Sequence, residues 1–479
     1  MKKTADMTYS QFLAKLALNT GLEDIPDSSY EAATRLLTDT LGCALAGMSA
    51  PGILPVAETM AEWGGRPDAT ILLTGKKVPA PQAAFANSAL IHAMDYDDVY
   101  IPGTLHITSV VVPAVLAAAE MSGCSGREAL AGMIMGIEIA GRIGIAEKGH
   151  YRNQGPLPSS MSGSFGAVAA AARILGLSYD ECVNAMGINY GQLGGNRQAL
   201  LDFSLTKRLQ PGFAVRSALW SMELAQSGIT GAYRVFEGEA GYFTTYLDGD
   251  ANWDAFDREY PAMQVERVSI KKYPSCGASH CVQMATERLV LEENLKPEDI
   301  DRIQIVNCGP GGLVGNPFEP GEHPQVDAQF SVLWAVAHTI LRGPVKLADY
   351  SDESVRRDTA VKELADQIEF IQDPPEFGEV MARPYDFPPY SSRNQGIVVY
   401  TKDGRRLYRT KCPGQTFGEF ERMYEMVEPK FRDSAAYACD TDKAHIASVL
   451  NAISNFVDMK NVKELLDSLS GLIACRKKA

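Results

Sequence analysis

From residue 10 to about 226, apolar side chains recur every three or four positions in runs of roughly 12 to 20 residues, with Gly and Pro at the joints. That spacing predicts helix after helix. The first carries Phe12, Leu13, Leu16 and Leu18. The second opens at a Ser28-Ser29-Tyr30-Glu31 capping box and runs to about Gly47. Others are expected at 81–94, 107–121, 127–146, 163–175, 179–191 and 213–226, with two long loops at 95–106 and 149–162. Small residues at 42–50, 114–119, 132–146 and 167–172 let such helices approach closely.

After about Val265 the pattern changes. Short β-branched runs at 302–306 (RIQIV) and 397–400 (IVVY) predict strands, the second leading through TKDG to RRLY as a hairpin. Helices are expected at 280–292 and 330–340, and Pro374-Pro375 and Pro388-Pro389 read as linkers. Helical periodicity returns over 440–472, with Ile446, Leu450, Ile453 and Phe456 on one stripe. The texture is a mainly α chain: a helical body, an α+β insertion and a helical tail.

With 479 residues and 46% hydrophobic content, the chain has ample apolar surface for about two large domains. The formal charge of −14 makes a poor surface for a phosphate backbone or an anionic bilayer, so neither nucleic acid nor membrane is expected as a partner. An acidic substrate would need a local cluster of cations. The nine cysteines are odd in number and contain no CxxC, which suits reduced thiols and a cytoplasmic protein. The apolar stretch 132–146 carries Glu138 and Arg142 four residues apart, falls short of the ~20 residues needed to span a bilayer and reads as a buried helix.

Three constellations could carry chemistry. In the first, His92-Ala93-Met94-Asp95-Tyr96-Asp97-Asp98 ends a helix in three carboxylates, and His106 follows in the loop. Carboxylates oppose the dipole at a helix C-terminus. Asp95 with His106 reads as an acid/base pair, while Asp97 and Asp98 divide between capping the next helix and an internal network. In the second, Lys207 and Arg208 enter the helix expected from Phe213, where free N–H groups already favour an anion; the alternative is a solvated pair. The third is Lys271-Lys272-Tyr273-Pro274-Ser275-Cys276-Gly277-Ala278-Ser279-His280-Cys281. Its lysines are a second anion contact, His280 is either a core histidine or a second proton carrier, and nothing nearby completes a metal ligand set. In the 149–162 loop, Tyr151 could contribute a proton and Arg152 could clamp a carboxylate, set against a plain solvated loop.

These constellations resemble, in this order, the MmgE/PrpD family, whose members include 2-methylcitrate dehydratase, cis-aconitate decarboxylase and iminodisuccinate epimerase. The resemblance rests on HAMDYDDVY (92–100) with His106, SFGAVAAAARILGL (164–177), TKRLQPGFA (206–214), GITGAYRVFEGEAGYF (228–243) and KKYPSCGASH (271–280). It implies a large all-helical domain built from 1–265 and 410–479, a smaller α+β lid over 266–409, and a homodimer. It also implies cofactor-free, metal-free chemistry on a small di- or tricarboxylate, with functional residues at Asp95, His106, Lys207, Lys271 and His280. Lys272, Arg208 and Arg152 would join the substrate contacts. Four positions depart from the family pattern: Val99 for Thr, Leu157 and Gln210 for histidines, and Trp334 near a tyrosine.

The expected activity is therefore a 2-methylcitrate dehydratase-like lyase that abstracts a proton next to a carboxylate. Lysines would hold the enolate-like charge, and His106, oriented by Asp95, would act as base or acid. The alternatives are an epimerase of the iminodisuccinate type and a non-catalytic carboxylate-binding homologue.

Overall fold

Capping boxes at Thr8, Ser125 and Ser178 start three of the helices, because each hydroxyl accepts from an N–H of the first turn while Gln11, Glu128 or Glu181 reaches back. The computed structural model describes residues 1–148, 155–309, 313–377, 394–411 and 425–477. Its fold is mainly α, with a smaller α+β region. The body comprises Tyr9–Asn19, Asp27–Gly47, Ala80–His92, Thr108–Ser122, Gly126–Ala146, Pro158–Ile174, Tyr179–Tyr190 and Gln210–Gln226.

Four details differ from expectation. The second helix begins at Asp27 without a side-chain cap, and Ser29 Oγ instead donates to Glu266 Oε1 at 2.6 Å. The helix expected from Gly163 starts at Pro158, whose missing N–H costs nothing in a first turn, so the second loop is shorter. An Ile53–Trp63 helix and a two-stranded ribbon, Ala69–Thr70 against Lys77–Val78, were not foreseen. The apolar Gly126–Ala146 helix has 21 residues, long enough to cross a membrane, but it is almost wholly buried among its neighbours.

Small residues bring the helices close, as expected. A Cβ on Gly47 would lie 2.1 Å from Leu90 O, and one on Gly166 would lie 2.5 Å from Gly136 O. The Asp27–Gly47 helix therefore fixes the Ala80–His92 helix, whose last turn carries the site.

The α+β part has a four-stranded sheet in the order Glu369–Ile371, Ile300–Val306, Gln395–Thr401, Arg406–Lys411. The first pair is parallel, and the other two are antiparallel. His280–Glu293 packs across the two hairpin strands. The chain then returns to the body. Val427–Ala438 lies on Asp27–Gly47, and Lys443–Ser454 and Lys463–Ala474 pack on each other.

Candidate active site

The site forms where the Ala80–His92 helix stops. Asp95 takes the left-handed conformation (φ 50°), which aspartate tolerates better than most residues, and turns its carboxylate inward. Beyond it, Val99 exchanges backbone hydrogen bonds with Ser269 (2.8 and 2.9 Å), which draws Lys271 against the turn. Lys207 arrives from the short Leu205–Leu209 turn ahead of the Gln210–Gln226 helix.

The Asp95 carboxylate lies between two ammonium groups. Oδ1 accepts from Lys207, and Oδ2 accepts from Lys271 Nζ at 2.9 Å, while Lys271 also donates to Asp95 O at 2.7 Å. Burial alone would raise Asp95, but Lys207 and Lys271 hold it well below the usual carboxylate range. Burial likewise opposes the Lys271 charge, and Asp95 and Asp97 outweigh it and raise that ammonium. The Lys271 side chain is 0% exposed and Lys207 11%, so Lys207 is the more accessible of the two cations.

Lys207 Nζ also donates to His92 Nε2 at 2.9 Å, and His92 Nδ1 meets Asp97 Oδ2 at 2.8 Å. An ammonium can only donate, so His92 is neutral with its proton on Nδ1. Burial, opposed by Asp97 and aided by Lys207, lowers its pKa accordingly.

His106 packs against His92 with ring centroids 5.1 Å apart. Its N–H donates to Ser159 Oγ at 2.9 Å, and its Nδ1 lies 2.7 Å from Asp98 O. A carbonyl can only accept, so Nδ1 carries the proton and Nε2 keeps the lone pair. Burial and then Lys271 lower His106 to about 3, so the free site holds a neutral imidazole. Asp98 accepts from Ile107 N (3.0 Å), Thr108 N (2.9 Å) and Thr108 Oγ1 (2.6 Å), and so caps the Thr108–Ser122 helix. Burial and the neighbouring Asp97 raise its carboxyl.

Asp95, Lys207, Lys271 and His106 thus converge, although the expected pairing of Asp95 with His106 is corrected. Asp95 bridges the lysines, the Asp98 carbonyl orients His106, and the nearer carboxylate is Asp97 at 3.9 Å. His280 opens its helix as a buried ring, edge-on to Tyr273 at 5.1 Å, with Nε2 3.2 Å from Ser275 O. Burial and Lys271 lower it to about 3. The ammonium of Lys272, expected as a substrate contact, pairs with Glu287 and lies 4.9 Å from the Tyr273 ring. Arg208 is buried, donating to Pro51 O (3.0 Å) and Gln325 Oε1 (3.4 Å), and burial lowers it to about 10 against the pull of Asp95. Tyr151 and Arg152 lie outside the described residues.

Among the departures, Leu157 N donates to Gly195 O at 3.3 Å, and the Gln210 amide binds both backbone groups of Asn196 (2.6 and 2.8 Å). Trp334 is buried against Tyr350 at 4.8 Å. His92 was not singled out from the sequence, although its place in the last helical turn before Asp95 pointed to it.

His92, Asp97 and His106 have candidate metal-ligating atoms within 4.8 Å of one another. Both His92 nitrogens are engaged, one by an ammonium, and a dication there would sit beside Lys207. The donor set is better suited to a hydrogen-bond relay than to a metal.

The geometry can bind an anion at Lys207 and accept a proton at His106 Nε2. Comparison with known proteins agrees on the kind of chain this is. The model of the MmgE/PrpD N-terminal domain matches residues 11–254, and that of the C-terminal domain matches 273–455. Human cis-aconitate decarboxylase is 25% identical over 469 residues, covering 93% of this chain and 91% of that protein. The cis-aconitate decarboxylase of Aspergillus terreus is 29% identical over 372 residues, covering 70% and 72%. The 2-methylcitrate dehydratase of Cupriavidus necator is 26% identical over 413 residues, covering 79% and 80%.

Proposed function

The chain belongs to the MmgE/PrpD family, and on that premise we propose that it is a lyase that removes a proton next to a carboxylate of a small di- or tricarboxylate, using its own side chains and no added cofactor. The single observation behind this reading is the fixed tautomer of His106. With Nδ1–H on Asp98 O, the Nε2 lone pair is a base beside a pair of lysines.

Lys207 binds the substrate carboxylate with its remaining N–H and holds charge as the adjacent carbon loses its proton. Lys271, beneath it, acts through Asp95. In the free site Asp95 pairs with both ammonium groups and offsets one of their two charges, so an entering polycarboxylate must compete with a resident carboxylate. For a β-hydroxy acid, His106 Nε2 takes the carbon-bound proton, the C–O bond breaks as C=C forms, and the imidazolium returns that proton to the leaving hydroxyl. Water departs, and one imidazole serves both steps. The added negative charge of the substrate raises His106 and makes it a stronger base.

A second reading is decarboxylation, favoured by the relative named cis-aconitate decarboxylase that aligns over 93% of the chain. There a C–C bond breaks, carbon dioxide leaves and the carbon is protonated.

Proton NMR in D2O with 2-methylcitrate, citrate and cis-aconitate separates these. The proposal expects loss of water from a hydroxy acid. Carbon dioxide from cis-aconitate alone would replace it with the second reading, and exchange without net product would make the protein an isomerase. Tight binding without exchange would leave a carboxylate-binding homologue.

A further inference from the structure

We infer that Lys430, on the returning Val427–Ala438 helix, is a positioning residue that sets the spacing between the Asp95 turn and the Lys271 segment. Its side chain is 2% exposed. Nζ donates to Tyr96 O at 2.7 Å and to Lys271 O at 3.1 Å, and it pairs with Asp39 Oδ1 at 2.7 Å. It also lies 3.7 Å from the centre of the Tyr96 ring. One cation thus meets acceptors from three distant parts of the chain.

Two of those acceptors are main-chain carbonyls of the site itself. Tyr96 follows Asp95, and Lys271 carries the ammonium that meets Asp95 Oδ2 and O at 2.9 and 2.7 Å. Lys430 therefore bridges the backbones at both ends of that contact. A buried charge needed only for cohesion could be replaced by an apolar side chain at little cost. Donors aimed at two site carbonyls specify a distance, which apolar packing would leave loose. The inference rests on reading the Asp95 cluster as the active site. Its structural consequence is measurable without a substrate.

The test compares Asp39→Asn with the Asp39→Asn/Lys430→Met double variant in the full-length chain, since the double variant leaves no buried unpaired charge. Crystal structures are combined with kcat and KM for the compound that the wild type turns over. Asp39→Asn is expected to keep both carbonyl bonds, the Lys271–Asp95 contact and kcat within about twofold. The double variant is expected to part Lys271 from Asp95 by about 1 Å and to lose roughly 10- to 100-fold in kcat, with a smaller change in KM.

A double variant with the Lys271–Asp95 contact and kcat both intact would overturn the inference. If the double variant does not fold, Asp39→Asn decides: Lys430 swung off both carbonyls with the cluster unmoved would overturn it. A wild type inactive on every carboxylate tried, with the expected structural change in the variants, would refute the proposed function and leave this positioning role standing.

Discussion

Asp95 holds an ammonium on each carboxylate oxygen, and this arrangement governs how the protein responds to acid and to mutation. Its pKa is depressed, so the stability it contributes is present above the unfolded value near 4 and is lost as pH falls toward the folded one. His106 and His280 are lowered to about 3. Each is neutral in the fold and protonated in the unfolded chain between about 6.5 and 3, so stability falls across that window by up to about 1.4 kcal/mol per pH unit per histidine. Asp98, raised to about 7, and Glu147, raised to about 8, act in the opposite sense over the same range. In urea the wild type should therefore lose stability more steeply between about pH 6.5 and 4 than His280→Gln does, and parallel profiles would contradict this. Replacing Lys271 with Met should cost about 3 to 5 kcal/mol in the same assay, because Asp95 loses a fully buried partner. His106→Ala should lower turnover about 10² to 10⁴-fold with little change in unfolding midpoint. At this scale the motifs delivered the residue types, but their partners were hidden. Whether Asp95 faces His106 or the lysines depends on one positive φ, and Gln210, read as a lost histidine, has a backbone-pinning job on Asn196.

The helices position these groups through close contacts at small residues. A methyl on Gly47 would meet Leu90 O, in the helix that ends at His92. Gly47→Ala should therefore destabilise by about 1 to 3 kcal/mol in urea and also reduce turnover, since the helix carrying His92 must move away. A variant with normal stability and activity would show that the two helices yield without disturbing the site. Most of this level was legible because apolar periodicity and capping signals are local. The family resemblance places 410–479 in the helical domain, but apolar periodicity is clear only from residue 440, so the Val427–Ala438 helix has no such signal of its own. Yet Lys430 shares a stripe with the buried Val427, Phe431, Ser434 and Ala438, and a lysine on an apolar stripe is the signal that could have found it.

Across the whole molecule, a chain of formal charge −14 concentrates buried cations from residues 207, 271 and 430 around one turn. The sequence set out the helical body and the α+β segment, and the return of the tail to the Asp27–Gly47 helix brings Lys430 to the site. The convergence itself follows from tertiary packing that no local pattern encodes. The family resemblance leads us to propose a homodimer, so light scattering should report a particle of twice the 51.9 kDa chain, and a monomer at micromolar concentration would refute that. The central claim is that Lys207 and His106 act together on one polycarboxylate. A crystal structure of the full-length chain with a non-reacting tricarboxylate tests it most directly. The account predicts a ligand carboxylate within hydrogen-bond distance of Lys207 Nζ and the adjacent carbon about 3 to 3.5 Å from His106 Nε2. A ligand bound elsewhere, or bound with His106 Nε2 turned away from that carbon, would contradict it.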